Sequence, residues 1–247
     1  MTAPVFLADT AALAADPGET VELDGPEGRH AAVVRRLGPG EAVVLTDGRG
    51  TSVDGVVVEA RRSGLVCRVV DRQSVPPPRP RLWVVQALPK GDRAELAVQM
   101  LTEIGADVIV PWAASRCVVQ WRGERAAKAL ARWRAHAREA GKQARRSWLP
   151  EVRDLAATAD VAQLLRSAAL PVVLHEAADR PLAALTVPDE GDVVVVVGPE
   201  GGITDTEVAA FDAAGAAVVR LGSPVLRTST AGVAAGAALL SRTPRWS

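Results

Sequence analysis

The sequence has few of the residues that build metal centres and disulfide frameworks. Among its 247 residues there are two cysteines, Cys67 and Cys117, and three histidines, His30, His136 and His175. Their scatter along the chain matches neither the paired spacing of a disulfide framework nor the spacing of a metal-ligand cluster. We therefore expect a mechanism that uses no metal.

Long apolar runs are also absent. No run approaches the roughly 20 residues that a membrane-spanning helix needs, and the N-terminus lacks the basic-then-apolar pattern of a secretory signal. An apolar content of 48% and a charged content of 23% are ordinary for a folded soluble protein. We expect a cytoplasmic protein without a membrane partner, long enough for one large or two modest domains.

The formal net charge is zero, because 29 basic residues balance 29 acidic ones. Only the distribution of charge can then indicate a partner. Between Arg122 and Arg146, nine Lys and Arg residues stand against two Glu, which suggests an anionic partner. Apolar residues at helical spacing predict one long helix over this segment: Ala126, Leu130, Trp133, Ala137, Ala140 and Ala144.

A stripe of basic residues lies on another side of this predicted helix. Arg134, Arg138 and Lys142 follow at i, i+4 and i+8, where like charges repel unless a partner offsets them. A solvated charged face is the usual explanation for such a stripe. With few acidic residues nearby, we favour a stripe that faces RNA.

Residues 1–74 are predicted to form a small β-barrel. Turn signals such as Gly38-Pro39-Gly40 separate short alternating segments, which we place at 20–23, 42–46, 51–60 and 65–70. One or two helical turns around 27–37 interrupt them. The basic residues of these turns suit a phosphate backbone, and a solvated helix face explains them equally well: Arg29, His30, Arg35 and Arg36.

A proline-rich stretch, Pro76-Pro77-Pro78-Arg79-Pro80, can continue neither a strand nor a helix. We place a linker at 75–80 and a second domain at 81–247. Strands alternate with helices in this domain, which predicts an α/β fold with a largely parallel sheet. Strands are predicted at 81–88, 107–110, 171–175, 193–197 and 216–221, with helices before Gly105 and at 122–146, 160–168 and 230–241.

The last predicted helix carries Gly232 and Gly236, four residues apart. Small residues at this spacing let two helices approach closely. We expect this face to pack against a partner, as in a dimer.

Five consecutive valines, 193–197, predict a strand buried on both faces of a parallel sheet. A glycine-rich loop follows, and then Thr204 and Glu207 form a capping box at the next helix start. The loop lacks both the Gly-Lys-Ser/Thr of a P-loop and the G-x-G-x-x-G of a dinucleotide site. Such turns are commonly mere turns. This one, however, ends a strand at the ligand-binding edge of the sheet, and a second Gly/Pro loop follows the next strand. We interpret the two loops as enclosing a ligand.

These two loops resemble those of a known family. Gly198-Pro199-Glu200-Gly201-Gly202, followed by Leu221-Gly222 and Leu226-Arg227-Thr228-Ser229-Thr230-Ala231, resembles the C-terminal half of the SPOUT methyltransferases. The chain is more closely similar to the bacterial 16S ribosomal RNA uracil-N3 methyltransferase family. Further similar positions extend over nearly the whole chain: His30, Arg36, Lys90, Glu103, Arg116, Glu139, Gln143, Arg146 and Pro150.

The resemblance implies a PUA-like RNA-binding domain and an α/β domain with a deep trefoil knot that holds S-adenosylmethionine. It also implies a homodimer that acts on 16S rRNA, in the small ribosomal subunit. Uracil N3 carries a proton, so an enzyme must help to remove it and stabilise charge on the flanking oxygens. Our hypothesis for the catalytic residues is Glu200, as base or orienting group, and Arg227, as the donor to the uracil oxyanion.

The resemblance also implies binding residues. Backbone contacts to the cofactor are implied for Leu174, His175, Glu176, Gly198, Pro199, Glu200, Gly201, Gly202, Leu221, Gly222, Leu226, Arg227 and Thr228. RNA contacts are implied for His30, Arg36, Lys90, Arg116, Gln143 and Arg146.

Some positions depart from the family pattern, and some alternatives stay open. Ser229 stands where the family usually has Glu, which argues against an essential carboxylate there. For Glu200 the alternative is a carboxylate that satisfies a helix N-terminus, and for His175 a core histidine. A ribose 2′-O-methyltransferase would share the knot but typically has Asn-rich motifs that the loops here lack. A non-catalytic RNA-binding protein built from the same domains is the other alternative.

Overall fold

The computed structural model describes residues 2–91 and 93–246. The chain divides into two compact units: the first runs to Pro77 and also includes Arg145–Leu149, and the second comprises Pro78–Ala144 and the chain from Pro150 onward. Among the described residues, no helix is both long and apolar enough to cross a membrane.

The first unit is built on a five-stranded sheet in the order β1-β3-β4-β5-β2. β1 pairs with β3 in parallel, and the other neighbours are antiparallel. The inward faces of the strands form one core around Phe6, Leu45 and Leu65. The strands are β1 (Val5–Leu7), β2 (Thr20–Leu23), β3 (Ala42–Thr46), β4 (Thr51–Arg61) and β5 (Gly64–Ser74).

The four strands predicted for this unit are confirmed, and β1 was missed. The predicted helical turns are confirmed as α1 (Gly25–Arg29) followed by a π-helical turn at His30–Val34. Arg36 then takes a left-handed backbone conformation, with φ of 56°. This conformation ends the helical stretch, since continuing a right-handed helix needs a negative φ.

The segment Arg145–Leu149 packs on the turn between β3 and β4. The N–H of Gly50 donates to the carbonyl of Ser147 at 2.9 Å, and the N–H of Leu149 donates to the carbonyl of Gly48 at 2.9 Å. A Cβ on Gly50 would lie 2.8 Å from the ring of Trp148. Glycine at this turn therefore lets the segment approach the backbone closely.

The second unit holds a six-stranded, all-parallel sheet in the order β11-β9-β10-β6-β7-β8. This confirms the predicted α/β fold and the five predicted strands, to which the structure adds β8. The strands are β6 (Arg81–Ala87), β7 (Val108–Trp112), β8 (Glu151–Val152), β9 (Leu170–Leu174), β10 (Asp192–Val197) and β11 (Ala217–Val219), and the helices are α2 (Arg93–Glu103), α3 (Gly123–Gln143), α4 (Thr158–Ser167), α5 (Asp205–Asp212) and α6 (Thr228–Leu240).

The strand of five valines is β10, which lies between β9 and β6 and is buried along Val193–Val197. The prediction of a strand covered on both faces is confirmed. Its carboxyl end leads into the glycine-rich loop at the same edge of the sheet where β9 and β11 end, because all three strands are parallel.

The glycine pair in α6 faces the core of its own chain. A Cβ on Gly232 would lie 3.1 Å from Val197, and one on Gly236 would lie 2.8 Å from Ile104 and 2.9 Å from Leu82. The prediction that this face meets a partner is therefore wrong. The two glycines let α6 lie close to the central strands β6 and β10 and to α2.

The residues of the predicted basic stripe on α3 have partners within the chain. Arg134 donates to Asp154 at 2.9 Å and to the carbonyl of Val152 at 3.1 Å. The Lys142 side chain is only 4% exposed, and its ammonium lies 2.9 Å from Glu139. These partners come from α3 itself, from β8 and from the residues directly after β8, and the contact of the stripe with RNA stays a prediction. The apolar face is confirmed at Trp133, Ala137 and Ala140, which are buried, whereas Ala144 is exposed.

Candidate active site

Three loops enclose a cavity of about 320 Å³ at the carboxyl edge of the second unit's sheet. They follow β9, β10 and β11, which are neighbours in the sheet. Open α/β sheets bind ligands at this edge, because parallel strands deliver their loops to one place. The cavity size lies at the lower end of the range for small-molecule sites, roughly 300–1,000 Å³.

The cavity gathers almost the whole set of residues predicted to bind the cofactor. Gly201 is the exception: it lies in the same loop and is exposed, and its carbonyl accepts a hydrogen bond from Arg116 at 3.2 Å. The predicted residues that line the cavity are Leu174, His175, Glu176, Gly198, Pro199, Glu200, Gly202, Leu221, Gly222, Leu226, Arg227 and Thr228.

Two arginines that sequence reasoning missed also line this cavity, Arg93 and Arg220. Arg93 begins α2, which follows β6, and β6 is the sheet neighbour of β10. The edge rule that located the other loops therefore also points to Arg93. Arg220 directly follows β11, so it lies one residue before the stretch that was predicted.

Thr228 connects three of the segments that border the cavity. Its side chain is buried, and its hydroxyl donates to the carbonyl of Gly198. The same hydroxyl accepts from the amide of Gln86, at 3.3 Å. A Cβ on Gly198 would lie 2.6 Å from Ile203. The end of β6, the loop after β10 and the start of α6 are therefore held in one arrangement.

Glu200 is exposed at the cavity, and its Oε1 accepts from the backbone N–H of Lys90 at 3.1 Å. The N-terminus of α5 is instead capped by Thr204 and Glu207, as the capping box predicts. Glu200 therefore does not cap the N-terminus of α5, which was the alternative role considered for it. Glu200 links the loop after β10 to the loop after β6.

Arg227 and His175 border the cavity in different ways. The backbone of Arg227 is the N-cap of α6, and its exposed side chain lines the cavity. His175 is half-buried, and its Nδ1 accepts from the N–H of Ala177 at 3.2 Å. It therefore lies at a strand end on the cavity wall and not in the core.

Glu207 is a buried carboxylate beside the site, 3% exposed. Its Oε1 accepts from the N–H and the hydroxyl of Ser115, at 2.8 and 2.9 Å. Its Oε2 accepts from the N–H and the hydroxyl of Thr204, at 3.0 and 2.8 Å. Burial alone would raise its pKa, but these hydrogen bonds together outweigh burial and lower it. The carboxylate joins the loop after β7 to the helix that follows the glycine-rich loop.

The hydroxyl of Thr158 also donates to Oε1 of Glu207, at 3.3 Å, so five donors face this carboxylate. We expect Glu207→Gln to lower the free energy of unfolding by roughly 2–3 kcal/mol at pH 7, because an amide NH₂ then replaces one acceptor among these donors. A lowered pKa in the folded state stabilises the fold above the usual value of about 4.3, and this contribution is lost as the pH falls through the lowered pKa. Denaturant unfolding of both proteins from pH 7 to 3 should therefore show the difference shrinking in acid.

The control for this variant is Glu190→Gln. Glu190 is exposed and forms a surface ion pair with Arg79 at 3.4 Å, so its removal should cost less than about 1 kcal/mol. A difference between wild type and Glu207→Gln that stays constant with pH would count against the assigned role.

The residues predicted to contact RNA are divided between the two units. In the first unit, His30 packs edge-on against Phe6 at 5.9 Å and Arg36 is exposed, and Arg146 belongs to the segment after α3. In the second unit, Lys90 and Gln143 are exposed, and the guanidinium of Arg116 donates to the carbonyl of Gly201 in the loop after β10. Within the described chain, no group of His, Cys, Asp and Glu is arranged to hold a metal ion.

The chain matches two family models: an RNA methyltransferase PUA domain over residues 23–70 and an RNA methyltransferase domain over residues 76–240. A curated relative from Mycobacterium bovis, ribosomal RNA small subunit methyltransferase E, is 47% identical over 100% of this chain and 94% of its own length.

Two solved structures share the fold. A Neisseria gonorrhoeae ribosomal RNA small subunit methyltransferase E bound to S-adenosylmethionine matches with 27% identity and a TM-score of 0.84, over 97% of this chain and 98% of its own. A Legionella pneumophila protein solved with the same cofactor matches with 27% identity and a TM-score of 0.85, over 98% of this chain and 99% of its own.

These similarities confirm the predicted family and the predicted pairing of a PUA-like domain with a SPOUT-type α/β methyltransferase domain. The domain models span most of the chain, and the Mycobacterium bovis relative covers all of it. The protein belongs to the ribosomal RNA small subunit methyltransferase E family.

Proposed function

We propose that this protein transfers a methyl group from S-adenosylmethionine to N3 of a uridine in 16S rRNA of the small ribosomal subunit, in the cytoplasm. The observation that carries the proposal is the cavity at the sheet edge, which joins three loops resembling the cofactor loops of the family. The relatives named as ribosomal RNA small subunit methyltransferases, and the two structures that contain S-adenosylmethionine, support the methylation of ribosomal RNA with this cofactor.

The residues of the cavity suit this cofactor. Its walls combine apolar side chains such as Leu174, Ile203 and Leu226 with the backbone of glycine-containing loops, which can hold an adenosine moiety and bond its polar edges. The carboxylate of Glu176 is available for the ribose hydroxyls or the ammonium group of the cofactor. When bound, the cofactor supplies a methyl group on a positively charged sulfur.

Glu200 and Arg227 are proposed to act on the uracil. The N3–H bond must break as the N3–methyl bond forms, and a carboxylate at the cavity mouth can accept that proton. Negative charge then builds on the uracil oxygens, where the guanidinium of Arg227 can donate hydrogen bonds. Lys90 holds Glu200 through its backbone N–H, which fixes the carboxylate without neutralising it with a side-chain charge.

RNA is proposed to be held by Arg36 and His30 of the PUA-like unit together with Lys90, Arg116, Gln143 and Arg146. Contacts from such residues to phosphates position the backbone, while the target base is splayed out of its stack. Arg116 has a second task in this proposal, because its bond to the Gly201 carbonyl also shapes the cofactor loop.

A homodimer and a trefoil knot are part of the proposal. Val225 and Leu226, which line the cavity on the loop after β11, are 79% and 38% exposed. Apolar side chains at a site entrance suit coverage by a second copy. The knot is consistent with the path of the chain, since β11 lies at the sheet edge beyond β9 while α6 returns to the central strands β6 and β10.

The test uses purified protein, methyl-labelled S-adenosylmethionine, and both free 16S rRNA and small subunits from cells that lack the gene. Digestion of the product to nucleosides should place the label on N3-methyluridine. Label on a ribose would instead indicate the 2′-O-methyltransferase alternative. Cofactor binding without methyl transfer to either RNA would contradict the proposed activity. RNA binding by a protein that does not bind the cofactor would favour the non-catalytic alternative.

A further inference from the structure

A second cavity, of about 290 Å³, lies beside the start of α2 in the second unit. It is separate from the cofactor cavity and shares no lining residue with it. Its walls are largely apolar, from Leu88, Pro89, Val119, Trp121 and Trp133, with Glu95 and Arg132 at its polar side. None of these side chains takes part in the proposed reaction.

The two cavities lie on either side of one short stretch that follows β6. Pro89 and Gly91 line the second cavity. The N–H of Lys90, between them, donates to Glu200, which lines the first cavity. A few residues later Arg93 lines the first cavity and Ala94 lines the second. The stretch of residues 89–94 therefore borders both cavities.

Trp121 and Trp133 form an aromatic corner in this cavity. Their ring centroids are 5.3 Å apart and their planes stand at 85° to each other. Trp133 is buried, whereas Trp121 is partly exposed. A flat ring that stacks on one indole meets the other indole at its edge, and both arrangements are favourable. Unpaired RNA bases are held in this way by aromatic side chains.

The helix surface beside this corner is positively charged. Arg125, Lys128 and Arg132 are exposed at spacings of three and four on α3, so they lie on one side of the helix. Arg132 pairs with Glu95, and His136 lies 3.0 Å from the same carboxylate. In the part of the chain that the structure describes, no ion pair involves Arg125 or Lys128. Their charges are therefore available to phosphate groups.

We propose that this cavity binds an unpaired nucleobase of the RNA next to the methylated uridine. The base stacks on Trp121, and Arg125 and Lys128 contact the adjoining phosphates. Stacking on an aromatic face accepts any base, so the site contributes affinity and placement more than sequence choice. This inference rests on the proposed function, because it takes the substrate to be RNA whose target base enters at Glu200.

The test compares Trp121→Leu, which keeps an apolar side chain but removes the aromatic face, with Trp121→Phe, which keeps that face. Small subunits and free 16S rRNA from cells that lack the gene serve as probes in filter binding. We expect the leucine variant to raise the Kd for RNA by roughly 5- to 150-fold, the range that loss of one stacked base gives. The phenylalanine variant should bind nearly as wild type, and neither should change the Kd for S-adenosylmethionine.

Two further measurements keep the test decisive. If Trp121→Leu lowers the Tm strongly, the double variant Arg125→Gln with Lys128→Gln tests the same surface without touching the core. It should weaken RNA binding and reduce the slope of log Kd against log salt by about 1–2. Sedimentation of each variant reports whether a second copy of the chain covers the cavity instead.

Unchanged RNA affinity in both the leucine and the double variant would overturn the proposal, as would dissociation of a dimer caused by Trp121→Leu. The assay measures RNA binding without methyl transfer, so it separates this site from the proposed reaction. Weaker RNA binding by the leucine variant, with no N3-methyluridine formed by wild type, would support the base-binding site and contradict the proposed reaction. Normal RNA binding by the leucine variant, together with N3-methyluridine formed by wild type, would contradict the base-binding site and support the reaction.

Discussion

Glu200→Gln should reduce the rate of methyl transfer by roughly 10²- to 10⁴-fold, the usual contribution of a positioned general base. The amide has the same shape, and its oxygen can still accept from the N–H of Lys90, which lies 3.1 Å from the carboxylate. It cannot take the proton from uracil N3. Single-turnover transfer of a labelled methyl group to RNA measures this rate. The Kd for S-adenosylmethionine, measured by calorimetry, should stay within about 3-fold of wild type, because the conformation of the loop is kept.

Glu176→Gln is the matched control. Glu176 is also an exposed carboxylate that lines the same cavity, but it follows β9 and is assigned to the cofactor. Its substitution should change cofactor affinity more than the rate at saturating cofactor. Normal turnover by Glu200→Gln would leave this residue with a structural role only, that of holding the loop after β6.

Arg245→Met should lower the free energy of unfolding by roughly 3–5 kcal/mol, the cost of leaving one partner of a buried ion pair alone. The guanidinium contacts both oxygens of Asp107, at 2.7 and 3.2 Å, and the carbonyls of Pro80 and Gly105, each at 2.9 Å. The two side chains are 12% and 8% exposed. Asp107 also accepts from the N–H of Leu82 at 2.8 Å, so the cluster fixes the start of β6. Thermal unfolding should show the Tm fall by about 6–20 °C.

Arg79→Met provides the comparison at the surface. Arg79 and Glu190 are 67% and 75% exposed, and such pairs contribute less than about 1 kcal/mol. Equal Tm changes in the two arginine variants would show that the Arg245 cluster does not stabilise the fold. Cofactor affinity measured well below the Tm should be unchanged in both.

Local patterns predicted most of the elements correctly. Residues 20–23 and 42–46 match β2 and β3 at both ends, and the capping box at Thr204 and Glu207 forms as the spacing indicates. In each case the decisive interactions lie within a few residues along the chain. The same strand pattern, with the edge rule for parallel sheets, located the site at the loops after β10 and β11.

Features that depend on distant partners were not predictable in this way. β1 is three residues long and pairs in parallel with a strand nearly forty residues later. Lys142 looked exposed because helical spacing does not reveal which neighbouring element covers a side chain. The second pair of donors to Glu207 comes from Ser115, at 2.8 and 2.9 Å, and no spacing rule joins these positions.

The cofactor and the substrate were predicted from the family resemblance, because the geometry of a site alone does not identify its ligand. Glycine-rich loops at a sheet edge indicate close backbone contact with some ligand. The series of similar positions along the chain narrowed that ligand to S-adenosylmethionine and the substrate to ribosomal RNA. Roles for single residues, Glu200 and Arg227 above all, are proposals that the kinetic variants test.

Mass spectrometry of nucleosides from 16S rRNA tests the central claim most directly. Cells with and without this gene are compared, and the deletion is complemented with wild type or with Glu200→Gln. We predict that N3-methyluridine is lost on deletion, returns with wild type and stays absent or much reduced with the variant. Undiminished N3-methyluridine in the deletion strain would contradict the proposed reaction.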